Sequence, residues 1–198
     1  MMLAQPVSAG TSMIIPDRTG DLGNTYSWVT GEIQGKWGDK SPVGKTGYFD
    51  MVSVWFGQKG KTYTFGMQLA ADLPQAGDAL PEGITLVEWN LWISLDAWEP
   101  PAPVRDLFLI ALKYDGSDYS TILLDCPTNT VIATPSFTID GPTFEIEFSA
   151  DTIGDLPSTV WLIPIVKVWW PGTFVNTDRA DPGAMPGQVM WSIPWPEA

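Results

Sequence analysis

The chain has 198 residues, 23 acidic against 10 Lys and Arg, a net charge of −13 and no histidine. Such an excess of negative charge repels phosphate backbones and anionic headgroups, which argues against nucleic-acid and membrane-surface partners. Without His there is no Ser-His-Asp or Cys-His nucleophile system and no usual zinc site, and the single Cys126 leaves no intrachain disulfide or CxxC motif.

Residues 1–10 lack a basic n-region and a full h-region and read as an initiator Met on a mature or trimmed chain, not as a signal peptide. No run reaches the roughly 18 apolar residues of a membrane-spanning helix. Nineteen Gly and 18 Pro punctuate the sequence throughout, which rules out long helices because Pro removes a donor and Gly raises the entropic cost. Between these breakers the pattern alternates and is rich in β-branched and aromatic residues, the signature of strands.

Residues 1–15 read as an extended segment. The first confident strands are 49–56 and 61–70, a hairpin around Gly57-Gln58-Lys59-Gly60, with Tyr63, Phe65, Met67 and Leu69 sharing one face. A surface connector, 72–83, leads to strand 86–95, whose Val87, Trp89, Leu91, Ile93 and Leu95 face one way and whose Glu88, Asn90, Trp92 and Ser94 face the other. Beyond the Pro-rich connector 98–103, strands 104–114 and 119–125 flank the turn Asp115-Gly116-Ser117-Asp118. Strands 130–140 and 143–148 flank Asp140-Gly141-Pro142, with Phe144, Ile146 and Phe148 inward and Glu145 and Glu147 outward. One helical turn is expected at 150–153. Strand 159–170 is the most apolar, and Pro164 within it implies an edge position or a bulge. The tail 178–198 is Gly- and Pro-rich, but its apolar residues imply that it packs back on the domain. Nine to eleven short antiparallel strands without a composition break make a single all-β domain, an antiparallel β-sandwich of jelly-roll type.

Two features bear on function. The loop Asp17-Arg18-Thr19-Gly20-Asp21 sets two carboxylates four residues apart, Asp50 opens the next strand, and Asp178 and Asp181, three apart, make a second acidic pair near the end. Such loops supply the oxygen ligands that Ca²⁺ takes; Asp beside Gly is also ordinary turn chemistry. The second feature is an excess of aromatic residues, with eleven Trp. Trp89 and Trp55 are assigned to packed or partly packed faces. Trp92 lies on the polar side of its strand between Asn90 and Ser94, with Glu88 nearby, an arrangement suited to stacking a sugar ring and bonding its hydroxyls; cover by a loop is the structural alternative. Trp169 shares a strand face with Trp161 and Lys167, and Trp98 sits as a rim residue beside Glu99.

The loop Asp17–Asp21, the strand Gly47-Tyr48-Phe49-Asp50-Met51-Val52-Ser53-Val54 and the strand Gly60-Lys61-Thr62-Tyr63-Thr64-Phe65-Gly66-Met67-Gln68-Leu69 together resemble the opening of family 9 carbohydrate-binding modules and their DOMON-like relatives. The likeness covers about half of the chain and departs from the pattern at Arg18, where Pro is usual. It implies a β-sandwich, an extracellular or cell-surface setting and a calcium ion at the early acidic loop, with Asp17, Asp21 and Asp50 as its ligands. The absence of His sets aside the haem-binding branch.

Glycosidase chemistry needs two facing carboxylates. Glu88 and the pair Glu145 and Glu147 are the candidates, but as strand residues pointing away from a core they read first as solvated side chains. The leading expectation is therefore a non-catalytic module that binds a polysaccharide or oligosaccharide through Trp92, Glu88, Asn90, Trp98 and Trp169. The alternative is a structural subunit that assembles with copies of itself through its N-terminal strand.

Overall fold

Side chains alternate across a strand, so a chain of half-apolar strands must bury one face of each against another layer. A computed structural model describes residues 11–17, 23–26, 33–36, 46–95, 106–154, 156, 160–171 and 173–179. It shows two antiparallel sheets packed as a sandwich. The strands are β1 (Thr11–Pro16), β2 (Gly23–Tyr26), β3 (Ile33–Lys36), β4 (Met51–Lys59), β5 (Thr62–Leu69), β6 (Leu86–Ser94), β7 (Asp106–Tyr114), β8 (Tyr119–Asp125), β9 (Thr130–Ala133), β10 (Ser136–Asp140), β11 (Thr143–Ser149), β12 (Trp161–Trp170) and β13 (Thr173–Arg179). Five strands form one sheet in the order β1-β4-β5-β11-β10; six form the other in the order β13-β12-β6-β7-β8-β9; β2 and β3 make a separate pair.

The core lies between the two sheets. Val54, Phe56, Tyr63, Phe65, Met67, Phe144 and Ile146 from one sheet meet Val87, Trp89, Leu91, Ile93, Leu112, Leu162 and Val166 from the other, all at 3% exposure or less. The Trp89 ring lies 6.2 Å from Phe144, which in turn meets Phe65 edge-on at 5.5 Å. Each such side chain contributes about 1.5–3 kcal/mol by leaving water. Trp89 also satisfies its N–H, which donates to the Tyr48 carbonyl at 2.8 Å.

Several local expectations hold. The turn between β7 and β8 closes as an Asx turn: Ser117 and Asp118 donate their backbone N–H groups to Asp115 Oδ1 at 2.9 and 3.0 Å, and Gly116 supplies φ +88°. The helical turn α1 is Ala150–Ile153, capped by Ser149, whose hydroxyl accepts from the Asp151 N–H. The connector 70–85 runs over the surface but is pinned: Tyr119 donates to the Pro74 carbonyl at 2.6 Å, and Tyr114 donates between the carbonyls of Gln75 and Asp78.

Others are corrected. Residues 130–140 are not one strand. Thr134 and Pro135 break the run, so β9 completes the six-stranded sheet and β10 the five-stranded one. Pro164 lies in β12, an interior strand, yet the described pairing with β13 begins only at Ile165 and carries a bulge between Val166 and Lys167. The N-terminal strand β1 stands at the end of the five-stranded sheet. Thr11–Pro16 pair with the chain's own β4 from Gln58 to Ser53, so the described part of the expected donor strand lies in its own sheet. The tail beyond residue 179 and the connector 98–103 lie outside the described residues.

Candidate functional site

Cross-strand register brings Glu88, Asn90, Trp92 and Trp169 to one surface, the outer face of the six-stranded sheet. Lys167, Glu88 and Lys113 form one rung; Ile165, Asn90 and Ala111 form the next; Ile163, Trp92 and Leu109 form the third. Trp169 stands one rung beyond Lys167, opposite Leu86. These residues are not spread in solvent as expected of an outer face. Glu88 is 5% exposed, and Asn90, Ile163, Ile165, Ala111 and Leu109 are all buried.

The Glu88 carboxylate is already engaged at both oxygens. Lys113 Nζ lies 2.8 Å from Oε1, and the Trp169 indole N–H donates to Oε2 at 2.9 Å. Lys167 Nζ lies 5.7 Å from the Trp92 ring centre and 5.8 Å from that of Trp169, within cation–π range of both. Burial above all, and Lys113 beside it, push the Lys167 ammonium below its ordinary pKa, while Glu88 opposes the shift. Neither end of the fully buried Asn90 amide has a hydrogen-bond partner among the described residues. Taken together, Glu88, Lys113, Lys167, Trp92 and Trp169 form one cluster in which Glu88 is buried and the other four are half-buried. Trp98 lies outside the described residues.

The outer face of the five-stranded sheet is different in kind. Trp55, assigned from sequence to a packed or partly packed face, is half-buried and points away from the core. Its indole lies across Gly66 on β5, so close that a Cβ at Gly66 would sit 2.1–2.4 Å from the ring. Past that glycine its N–H donates to Glu145 Oε1 on β11 at 3.1 Å. The register runs Ile14, Trp55, Gly66, Glu145 and Thr138 in a single row across all five strands. On either side of this row stand Ser53, Gln68 and Thr143, and Gly57, Thr64 and Glu147, all half-buried or exposed. The result is one fixed aromatic ring on a surface of hydroxyls, an amide and carboxylates.

One feature of the chain hides Trp55. Counting alternate residues from buried Met51 places Trp55 on the core side, but a register shift between Met51 and Ser53 reverses the parity, so Val54 and Phe56 are the ones buried. The readable signal is Gly66, a glycine amid the polar face of a strand, which marks a close approach.

Of the expected metal ligands, Asp17 and Asp50 come to the same end of the β1/β4 pair. The Asp17 N–H donates to the Val52 carbonyl at 2.8 Å, and Asp50 is 6% exposed just before β4 begins. Asp21 lies outside the described residues. Among the described residues no three His, Cys, Asp or Glu side chains converge. Two carboxylates are hard oxygen donors of the kind Ca²⁺ takes, but they fill only part of its 6–8 positions.

Cys126 is half-buried; burial first, then Asp106 and Asp125, push its thiol up to about 12 and hold it protonated. Among the described residues no helix is long and apolar enough to cross a membrane. A scan of protein-family models and searches of curated proteins and of solved structures find no match to this chain, so what stands is an all-β sandwich without a family assignment.

Proposed function

We propose that this chain is a carbohydrate-binding β-sandwich that performs no chemistry and whose saccharide platform is the outer face of the five-stranded sheet. The observation that carries this reading is the Trp55 indole, packed against Gly66 and tied to Glu145. A sugar ring presents C–H groups on one face and hydroxyls at its rim. An immobilised indole takes the first, and Gln68, Thr64, Ser53 and Thr143 supply donors and acceptors for the second. Because the ring is already fixed, little side-chain entropy is lost on binding.

Calcium belongs to the same reading as a structural ion at the Asp17 and Asp50 end, with Asp21 as a third ligand. It would tie the start of β4 to the segment after β1 and lower the self-repulsion of a chain at −13. The likeness of residues 17–21 and 47–69 to family 9 carbohydrate-binding modules supports both halves of the reading, together with an extracellular or cell-surface setting.

Pull-down on insoluble polysaccharides and titration with neutral oligosaccharides test it. Trp55→Ala is expected to abolish binding while the far-UV circular dichroism stays unchanged, and Trp92→Ala to leave binding intact. Loss of binding in Trp92→Ala alone would move the site to the other sheet. Absence of any saccharide ligand at millimolar concentration would end the reading.

A further inference from the structure

We propose that two copies of this chain pair edge to edge through β10, about a twofold axis at Thr138, joining their five-stranded sheets into one. A strand at the edge of a sheet offers unpaired N–H and C=O groups, and proteins ordinarily blunt such edges with charge, Pro or a bulge. β10, the edge of its sheet among the described residues, has little of this. Its pairing with β11 is regular from Ser136 to Asp140, whereas the neighbouring edge strand β9 is interrupted by a register shift between Leu123 and Leu124 of β8. The ten residues from Thr130 to Ile139 carry no charge, in a chain with 33 charged residues. Among the described residues four large apolar side chains stand exposed, and three of them are at this corner: Val131 at 50%, Ile132 at 36% and Phe137 at 36%.

The partner that fits is the same strand. In antiparallel pairing centred on Thr138, Thr138 faces its twin, Phe137 faces Ile139, and Ser136 faces Asp140. Threonine pairs and aromatic to β-branched pairs are favourable cross-strand neighbours, and no like charges are opposed. The twin strand also covers Phe137, which an isolated copy leaves in solvent. The isologous form closes on itself and predicts a dimer.

This register has a consequence for the proposed platform, and that consequence alone rests on the saccharide reading. Thr138 lies in the same row as Trp55, Gly66 and Glu145. A twofold axis through Thr138 keeps both outer faces on one side and continues the row into the second copy. The two Trp55 rings then lie seven strand spacings apart, about 34 Å along the sheet. A polymeric ligand could bridge them and gain avidity that a short oligosaccharide cannot.

The test is sedimentation of the full chain over a range of concentrations, with Thr138→Lys, together with disulfide trapping of Thr138→Cys in a Cys126→Ala background. Wild type is expected to dimerise, and Thr138→Lys to weaken the dimer more than about tenfold by opposing two ammonium groups. Thr138→Cys should cross-link to its twin on mild oxidation, because facing residues in an antiparallel pair have Cα atoms within disulfide range. Ser117→Cys, in the exposed β7–β8 turn, should not. A wild type that stays monomeric, with Thr138→Cys cross-linking no faster than Ser117→Cys, overturns the proposal. So does a dimer that Thr138→Lys leaves intact. If the dimer holds but polymer and short oligosaccharide bind alike, or neither binds, the failure belongs to the platform and not to the interface.

Discussion

Trp169 donates its indole N–H to Glu88 at 2.9 Å, and the other oxygen of that carboxylate meets Lys113 at 2.8 Å. Glu88 thus holds together three strands of the six-stranded sheet, from a position that is 5% exposed. Its side chain is committed within the protein, and its replacement tests stability before it tests binding.

Glu88→Gln is expected to destabilise the fold by about 2–4 kcal/mol, because it removes the anion that two half-buried lysines face. For a chain of this length that corresponds to a fall in melting temperature of roughly 5–15 °C. Calorimetry on the variant checks it. An unchanged melting temperature accompanied by lost saccharide binding would instead make Glu88 a ligand contact.

Gly66→Ala probes the opposite sheet. The backbone at Gly66 is not in the left-handed region, so only the added methyl matters, and it would sit 2.1–2.4 Å from the Trp55 ring. The indole must lift, and its bond to Glu145 must lengthen or break. The expected cost is about 1–3 kcal/mol in stability, with loss of saccharide binding comparable to Trp55→Ala. Titration with the best neutral oligosaccharide, beside a shift in tryptophan fluorescence, measures both. Binding that survives would show that the ring's seat on the glycine is not used.

How much of this was legible in the sequence differs between elements, for physical reasons. β5, β6 and β11 alternate cleanly, and their inner residues Phe65, Trp89 and Phe144 are core as expected. β1, β2 and β3 are short and carry little alternation, and β2 and β3 were not anticipated. Trp55 is half-buried against Gly66, and the side it takes is not readable from alternation because a bulge shifts parity within β4. Glu88 and Asn90 were assigned to the right face, but one strand's pattern cannot report what lies over that face. Only register and burial together show that Glu88 and Asn90 are buried there while Trp92 and Trp169 are half-buried.

Calcium is tested by linkage. An ion that binds only the folded state adds about 2.7 kcal/mol when present at a hundred times its dissociation constant. Melting in calcium is expected to exceed melting in EDTA by several degrees, and Asp50→Asn to remove the difference. Coincident curves would leave Asp17 and Asp50 as turn and strand-end residues. The comparison needs no ligand and is independent of the saccharide platform.

Alkaline pH supplies the last prediction. Burial, then Tyr114 and Asp78, push the Tyr48 hydroxyl up to about 12. Burial above all, with Tyr114 next, raises Tyr119 further; burial and then Asp78 raise Tyr114; and the Cys126 thiol reaches about 12. These are acids whose neutral form the fold prefers. In the unfolded chain they ionise near their ordinary values of 10.0 for tyrosine and 9.0 for cysteine, so above that range the unfolded state holds fewer protons and stability falls as pH rises. The stabilisation is complete below about pH 9 and declines toward pH 12. Urea midpoints measured across that interval should drop steadily. Tyr114→Phe loses the hydroxyl that pins residues 75 and 78; it should be less stable at neutral pH and show a shallower alkaline slope. Equal slopes for variant and wild type would mean that the ring cluster of Tyr48, Tyr114 and Tyr119 does not govern the alkaline limb.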